Sequence, residues 1–570
     1  MTSNGAIKGD PKRSMEYLID HLQSALSASP ITHPLTITVV ESRCKSTTGL
    51  FPYVENPPKV GVQQVLVTIS ADIERDESLL SDTQETDRLL LCALEAYVYH
   101  VPSTSSCLVY ISKVDSTGYS PDTLPETSST DRTKRKRLPP TTYFLLKAFL
   151  SFYHPLPPSK SPRIRRLHHH KHAYVQLFAR SANQYLFPNS ILGGSKKVLG
   201  GIKLCKWWRR VFEEIALDLN QPSPEENEVH KTNLESYLTY YLPAYEHLEA
   251  RSLLGISPTA AATATTMPQW LYLPPGDPSL NSLLFAPSPV KTVDDNADDH
   301  KPRPLAMLVP TFEDDPKARF LVELVINNPV GKLRTGRPKR AAPEQDDQQS
   351  EGTKRQRIDG KEQIDDAREV PQSVSGDQAS STDPSSSSAI KEIQEKRRTD
   401  ERRLRQEDAA ALASISWDNF WTRMGYRQEC ISGDVTGFFS MYVGLPPVFD
   451  KATAANENGQ EGQSTEETAH QVSHPLFGRI AAALLNHDFA NRTLAIEATR
   501  RFLDQTENIV VAEIGRDEWT TRCTARVEKN DAGRAFQDSS AQSLAQTSGA
   551  NQAVPAVNVL QVKKKKKPAK

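Results

Sequence analysis

No apolar run in the 570-residue chain approaches the roughly 20 residues that span a bilayer, so no transmembrane helix is expected. Residues 1–13 are polar and lack the apolar core of a secretory signal. The six cysteines (Cys44, Cys92, Cys107, Cys205, Cys430, Cys523) are scattered, with no CxxC pair. That spacing argues against a zinc finger or a disulfide framework and suits a reducing compartment. An excess of one charge is also missing. Lys and Arg number 69 against 70 Asp and Glu, a formal net charge of −1. A uniformly basic nucleic-acid coat and an acidic solvating protein are therefore excluded at the level of the average. Apolar residues are only 37%, mean hydropathy is −0.53 and prolines number 40, so part of the chain is expected to be disordered. The conventional catalytic motifs are lacking too: no P-loop, no GxGxxG after a strand, no GxSxG and no HExxH. The chain is expected to be intracellular and free of membrane contact.

What charge there is lies unevenly. Residues 131–172 hold eleven Lys or Arg and one acid, with five histidines added. Lys134-Arg135-Lys136-Arg137 opens this stretch; Arg163, Arg165, Arg166 and the run His168-His169-His170 close it. A solvated loop or nuclear localisation signal is one reading, and a basic rim for an anionic ligand the other. No acid or cysteine neighbours the histidine run in sequence, so no metal is expected. Residues 334–389 contain no Phe, Trp, Tyr, Leu or Met and cannot bury enough apolar surface to offset their conformational entropy. They carry a bipartite-looking nuclear signal and Gly336-Arg337-Pro338, which resembles a minor-groove hook and admits weak DNA contact. A second low-complexity tail ends in the lysine run 563–567.

The flanking regions read as folded. Helical spacing is expected over 15–26, 140–152, 202–217, 233–254 (interrupted at Pro243) and 390–408, and within 477–503. Strands are expected at 35–40, 60–69, 89–101, 107–111 and 173–180, with a hairpin turn over 102–106. The fold class is α+β: a central mixed sheet surrounded by helices. Residues 1–333 form the first part of the core and 334–389 a disordered insert. Residues 390–520 form a helical part completing the domain, and 521–570 a disordered tail.

Three constellations carry chemistry. Leu192-Gly193-Gly194-Ser195-Lys196-Lys197-Val198-Leu199-Gly200-Gly201 is the nearest segment to a phosphate cradle, although a glycine-rich turn feeding a helix is more often plain turn chemistry. In Glu313-Asp314-Asp315-Pro316-Lys317, Asp315 reads as an N-cap with Pro at N1, or the paired carboxylates as proton acceptors. Trp207 and Trp208 sit about 100° apart on a helix, so one ring faces the core and the other is free to line a pocket.

The ordered blocks 111–119, 178–188, 206–208 and 314–320, followed by Phe420-Trp421 and Arg427-Gln428-Glu429, resemble the fungal "regulator of Ty transposition" histone acetyltransferases. The resemblance implies an acetyltransferase-like fold and an enzyme that moves acetyl from acetyl-CoA to lysines of histone H3. The principal target would be the lysine just before the histone fold, with tail lysines besides. The setting would be the nucleus, replication-coupled nucleosome assembly and genome stability, with H3–H4 and histone chaperones as partners. By the same resemblance Val114, Asp115 and Ser116 line the thioester end of the cofactor. Lys136, Arg137, Leu138, Pro139 and Pro140 follow its pyrophosphate. Phe178, Arg180, Ala182, Lys197, Val198, Leu199 and Trp207 hold its remainder. Tyr185 and Trp208 line the acceptor-lysine tunnel, with Asp115 beside them. Asp315 with Asp314 forms the acidic group, and Lys317 matches a lysine that is itself acetylated. Lys197 stands where the family carries His. A non-catalytic nuclear scaffold binding DNA through its basic tails is the competing reading. It predicts salt-sensitive DNA binding and no affinity for CoA.

Overall fold

The computed structural model describes residues 14–31, 33–74, 86–119, 140–156, 164–167, 170–219, 234–256, 270–273, 286, 304–327, 384–431, 433–444 and 467–528. The readings on 334–383, on the tail beyond 528 and on 136–139 lie outside these residues. Its strands are β1 (Ser14–Met15), β2 (Leu35–Glu41), β3 (Lys45–Thr47), β4 (Val60–Glu74), β5 (Thr86–Val101), β6 (Ser106–Ser116), β7 (Ile164–Arg165), β8 (His172–Ala179), β9 (Glu235–Tyr241), β10 (Trp270–Tyr272), β11 (Gly437–Gly444) and β12 (Thr524–Val527). The main helices are α1 (Leu18–Ser27), α2 (Thr141–Phe152), α3 (Gly201–Leu219), α4 (His247–Leu254), α5 (Pro316–Ile326), α6 (Pro384–Ala413), α7 (Trp417–Gly425), α8 (His474–Leu485) and α9 (Arg492–Ile514). No described helix is long and apolar enough to cross a membrane.

One mixed sheet runs β10-β9-β11-β8-β6-β5-β4-β2-β12, with β3 on β4. β6/β8 and β10/β9 are parallel and the other pairs antiparallel. Period-two alternation divides the side chains. Val175, Leu177, Phe439 and Met441 face a core closed by α1, α2 and α3. Tyr174, Phe178 and Phe438 face the opposite core, closed by α5 and α7. A third core packs α8 and α9 on the Leu66, Leu89 and Leu90 region of β4 and β5. Phe149, Phe212 and Trp421 are fully buried, each contributing about 1.5–3 kcal/mol of transfer free energy.

Three readings need correction. Residues 233–254 are a strand followed by a helix, because Tyr237, Thr239 and Tyr241 alternate with Leu238 and Tyr240 and pair with β11. The C-terminal part is not only helical. Its β11 lies between β8 and β9, and its β12 extends the edge beyond β2, so ordered structure continues past 520 to Val527. Helix α6 begins at Pro384, inside the segment expected to be disordered.

The α3/β11 junction is tight. A Cβ on Gly201 would lie 1.8 Å from the Val435 carbonyl oxygen, whereas Gly478 on α8 has open space around it. Gly201→Ala is therefore expected to cost about 1–3 kcal/mol by overpacking, and Gly478→Ala to stabilise by about 0.5–1 kcal/mol. Urea midpoints of the two variants check the opposite signs.

Arg166 of the basic stretch has a structural role. It meets Glu16 at 2.8 Å, donates to the Phe152 and His154 carbonyls and lies over the Phe152 ring. Burial pushes the Glu16 carboxyl up, but His21 and Arg166 outweigh it and hold its pKa at about 2. This contribution is fully present above the ordinary value of 4.5 and is lost as pH falls towards 2. Glu16→Gln is expected to cost about 3 kcal/mol at pH 7 and about half that at pH 3. Denaturation at the two pH values measures the difference.

Candidate active site

The parallel neighbours β6 and β8 stay in register from Ser106/His172 to Ile111/Leu177. There β6 bulges. Ala96 faces Ile111 but Glu95 faces Lys113, so Ser112 is the extra residue. A bulge bends its strand and ends local pairing. Beyond it, β6 runs on with β5 alone to Ser116 and parts from β8. The Ser112 hydroxyl, at the bulge, has no hydrogen-bond partner among the described residues. The two parallel strands thus part at their C-terminal ends, the usual place for a ligand in a sheet of this kind.

Val114, Asp115 and Ser116 lie on β6 past this point, and Asp115 joins them to the segment 180–199. Asp115 organises that segment. Its Oδ2 accepts from the amides of Tyr185 (2.8 Å), Leu186 (2.9 Å) and Phe187 (3.3 Å). Its Oδ1 accepts from the Ser116 amide (2.8 Å) and the Lys196 Nζ (2.6 Å). Lys196 also donates to the Ser190 hydroxyl at 2.9 Å. With five donors on it, the buried Asp115 carboxylate anchors this segment to β6. Gly118, at φ +82°, lets the two segments touch: a Cβ there would lie 2.4 Å from the Lys196 Cα. Lys196 is the buried lysine here and was not anticipated, while Lys197 and Leu199 are exposed and Val198 half-buried. Neighbouring lysines on irregular chain carry no periodic signal to tell them apart.

Tyr185 is half-buried and donates its hydroxyl to the Arg180 carbonyl at 2.7 Å. Burial pushes the phenol up to about 12, Arg180 opposes this, and Asp115 and Asp314 add to it. It therefore stays protonated at neutral pH. Arg180 is exposed, Ala182 half-buried and Pro140 exposed at the start of α2. Lys136, Arg137, Leu138 and Pro139 lie outside the described residues.

Beneath β8 sits the second cluster. Asp315 is the N-cap of α5, accepting from the Lys317 amide at 3.0 Å, with Pro316 at N1. The same carboxylate meets the Lys317 Nζ at 2.7 Å, and the two residues are 0% and 1% exposed. The ammonium lies 5.2 Å from the Phe438 ring and 6.0 Å from those of Tyr110 and Phe312, a cation enclosed by aromatic faces. The Phe438 and Phe178 rings lie 4.6 Å apart at a 31° tilt, which ties this cluster to β8. Asp314 is exposed and held at φ +60°, uncommon for a residue other than glycine. Arg319 reaches it at 3.5 Å.

The tryptophans separate as their spacing requires: Trp208 is buried and Trp207 half-buried, their rings 4.9 Å apart. Trp208 packs in the core on the far side of the sheet from Phe438 and Lys317. In the glycine-rich segment the Gly201 amide, at the N-terminus of α3, donates to the Asp434 carboxylate at 2.6 Å. That helix end holds an internal anion, and no local signal in the sequence pairs residues so far apart. Burial pushes the Cys205 thiol up to about 12 and raises that of Cys107 as well, so neither is a free thiolate nucleophile at neutral pH.

The model of the histone acetyltransferase KAT11-type domain matches residues 159–505, from before β8 into α9. Over 257 residues the chain is 31% identical to histone acetyltransferase rtt109 of Aspergillus flavus. The matched stretch is 43% of this chain and 38% of that relative, so it spans well under half of the relative's length. The fold is similar to the crystal structure of Rtt109 from Aspergillus fumigatus, with a TM-score of 0.53 and 21% identity over 89% of this chain and 99% of that one. With more than half of its residues inside the matched domain, and the central sheet and helices that the fold requires, this chain belongs to the KAT11-type histone acetyltransferase family.

Proposed function

We propose that this chain transfers acetyl from acetyl-CoA to lysines of histone H3, principally the lysine just before the histone fold. The observation that carries the reading is the parting of β6 from β8 at the Ser112 bulge, which would leave a crevice between them; β8 and the segment 180–199 lie inside the matched domain. The free edge of β6 from 112 to 116 offers backbone groups to an extended, amide-bearing chain such as pantetheine. Phe178, Ala182, Val198, Leu199 and Trp207 offer apolar contact, and Arg180 and Lys197, with 136–140, offer positive charge for the phosphates. H3–H4, histone chaperones, a nuclear setting and replication-coupled nucleosome assembly follow as the finer parts of the same proposal.

A lysine amine has a reference pKa near 10.4 and must lose a proton before it attacks a thioester. In the proposed scheme the neutral amine attacks the acetyl carbonyl directly. The carbon–nitrogen bond forms, the carbon–sulfur bond breaks, and the CoA thiolate leaves and is protonated. The amine proton goes to the carboxylate pair. The Asp315 carboxylate holds the Lys317 ammonium at 2.7 Å. Acetylation of Lys317 would remove that ion pair and free the carboxylate. The exposed Asp314 then connects it to solvent.

The test is acetyl transfer from labelled acetyl-CoA to H3–H4, with and without a histone chaperone, followed by peptide mapping. Label on H3 and on Lys317 supports the proposal. No transfer and no CoA binding, with salt-sensitive DNA binding instead, supports the scaffold.

A further inference from the structure

We propose that His100, Cys107 and His170 form a binding site for a divalent transition-metal ion that prefers nitrogen and sulfur donors, Zn2+ foremost. Their donor atoms all lie within 4.8 Å of one another. The sheet brings them together. His100 and Cys107 are directly opposed partners across β5 and β6, so their side chains leave the same face. His170 arrives from the segment leading into β8, where the Lys171 and His172 amides both donate to the Ser105 carbonyl, at 2.8 and 3.3 Å. The His100 and His170 rings stack with centroids 5.2 Å apart. His100 is 6% exposed and Cys107 0%.

Two imidazoles and a thiolate are a donor set that zinc favours. Tetrahedral bonds of about 2.0–2.1 Å to nitrogen and about 2.3 Å to sulfur place the donors about 3.5 Å apart. Side-chain rotations that close the cluster by about 1 Å reach that geometry. An ion must lie in the plane of each ring it binds, and the two planes are now 14° from parallel. Binding therefore opens the stack. As the metal–sulfur bond forms, the Cys107 thiol gives its proton to solvent.

A fourth position is available beside the cluster. A cavity of about 40 Å³ is lined by His100, His170, Tyr153, His154, Glu41 and His470, room enough for a water. The Tyr153 hydroxyl and both His154 ring nitrogens, on side chains 5% and 4% exposed, have no hydrogen-bond partner among the described residues. Buried polar atoms of that kind point to a group held in the cavity. The site is remote from the crevice: Cys107 and Asp115 are eight residues apart on one strand, roughly 26 Å at about 3.3 Å each. The ion would thus clamp the β5–β6 hairpin to the start of β8, and would take no part in acetyl transfer. The expectation of no metal considered only the sequence neighbours of the histidine run. The ligands instead meet across the sheet.

The full chain is stripped with a chelator and titrated with Zn2+ and with Co2+. One equivalent per chain is expected, with a thiolate-to-cobalt charge-transfer band and a rise in melting temperature on loading. Cys107→Ser is expected to lose the band. His170→Gln, which lies outside the strands, is expected to stay folded and to bind at least about 10-fold more weakly. A His168→Gln/His169→Gln control is expected to bind as the parent does. Absence of stoichiometric binding would overturn the proposal, as would a band that survives Cys107→Ser or an affinity lost only in the control.

Discussion

Asp315→Asn is expected to lower the free energy of unfolding by about 3–5 kcal/mol, far more than an exposed ion pair would cost. The reason is burial. The carboxylate and the Lys317 ammonium are 2.7 Å apart with almost no exposure, inside a box of Tyr110, Phe312 and Phe438. Asparagine keeps the cap on the Lys317 amide, so loss of the cap does not explain the effect. What remains is an ammonium buried without its counter-charge. Lys317→Met leaves the opposite charge buried and is expected to cost a similar amount. The double variant Asp315→Asn/Lys317→Met removes both charges and is expected to return to within about 1–2 kcal/mol of the parent. Urea midpoints at constant slope give the four corners of the cycle. Additive effects would mean that the pair is not coupled in solution. Acetyl transfer by Asp315→Asn is expected to fall by about 10²–10⁴-fold, the range of a lost proton acceptor.

Asp115→Ala is the second large effect. It strips an acceptor from four backbone amides and leaves the Lys196 ammonium, among the described residues, with only the Ser190 hydroxyl. A loss of about 3–5 kcal/mol is expected, together with at least about 10-fold weaker acetyl-CoA binding, because segment 185–187 loses its anchor beside the crevice. Lys196→Met is expected to cost about 1–3 kcal/mol, since the carboxylate keeps its amide donors. The order of the two variants is the signature, read by thermal melts and by titration calorimetry with CoA. Equal effects would place the anchoring in the ion pair alone.

Local signals were legible wherever one segment contained its own reason. The β5–β6 hairpin was expected from two apolar runs around the turn at 102–106, and the ladder from His100/Cys107 onwards bears it out. The Asp315-Pro316 helix start was read as a cap and is one. The tryptophan pair divides between core and margin as a 100° step requires. Signals supplied by a distant partner were not legible. The tyrosine-rich strand β9 was taken for a helix until its pairing with β11 is considered, and β11 itself is short and apolar with no alternation to announce it. The Ser112 bulge exists only relative to the register of β5, and the Asp434 cap on α3 joins residues more than two hundred positions apart. The candidate site resembles the fold in this respect. Its residue blocks were visible, but which lysine is buried, which carboxylate is sequestered and which tryptophan faces away depend on the packed sheet.

The most direct test of the account is hydrogen exchange on the full chain with and without acetyl-CoA. The account predicts new protection at residues 112–116 and 180–199, where β6 parts from β8, and little change in the core strands β2 and β4. Protection confined to other regions, or none at saturating ligand, would contradict the crevice as the acetyl-CoA site.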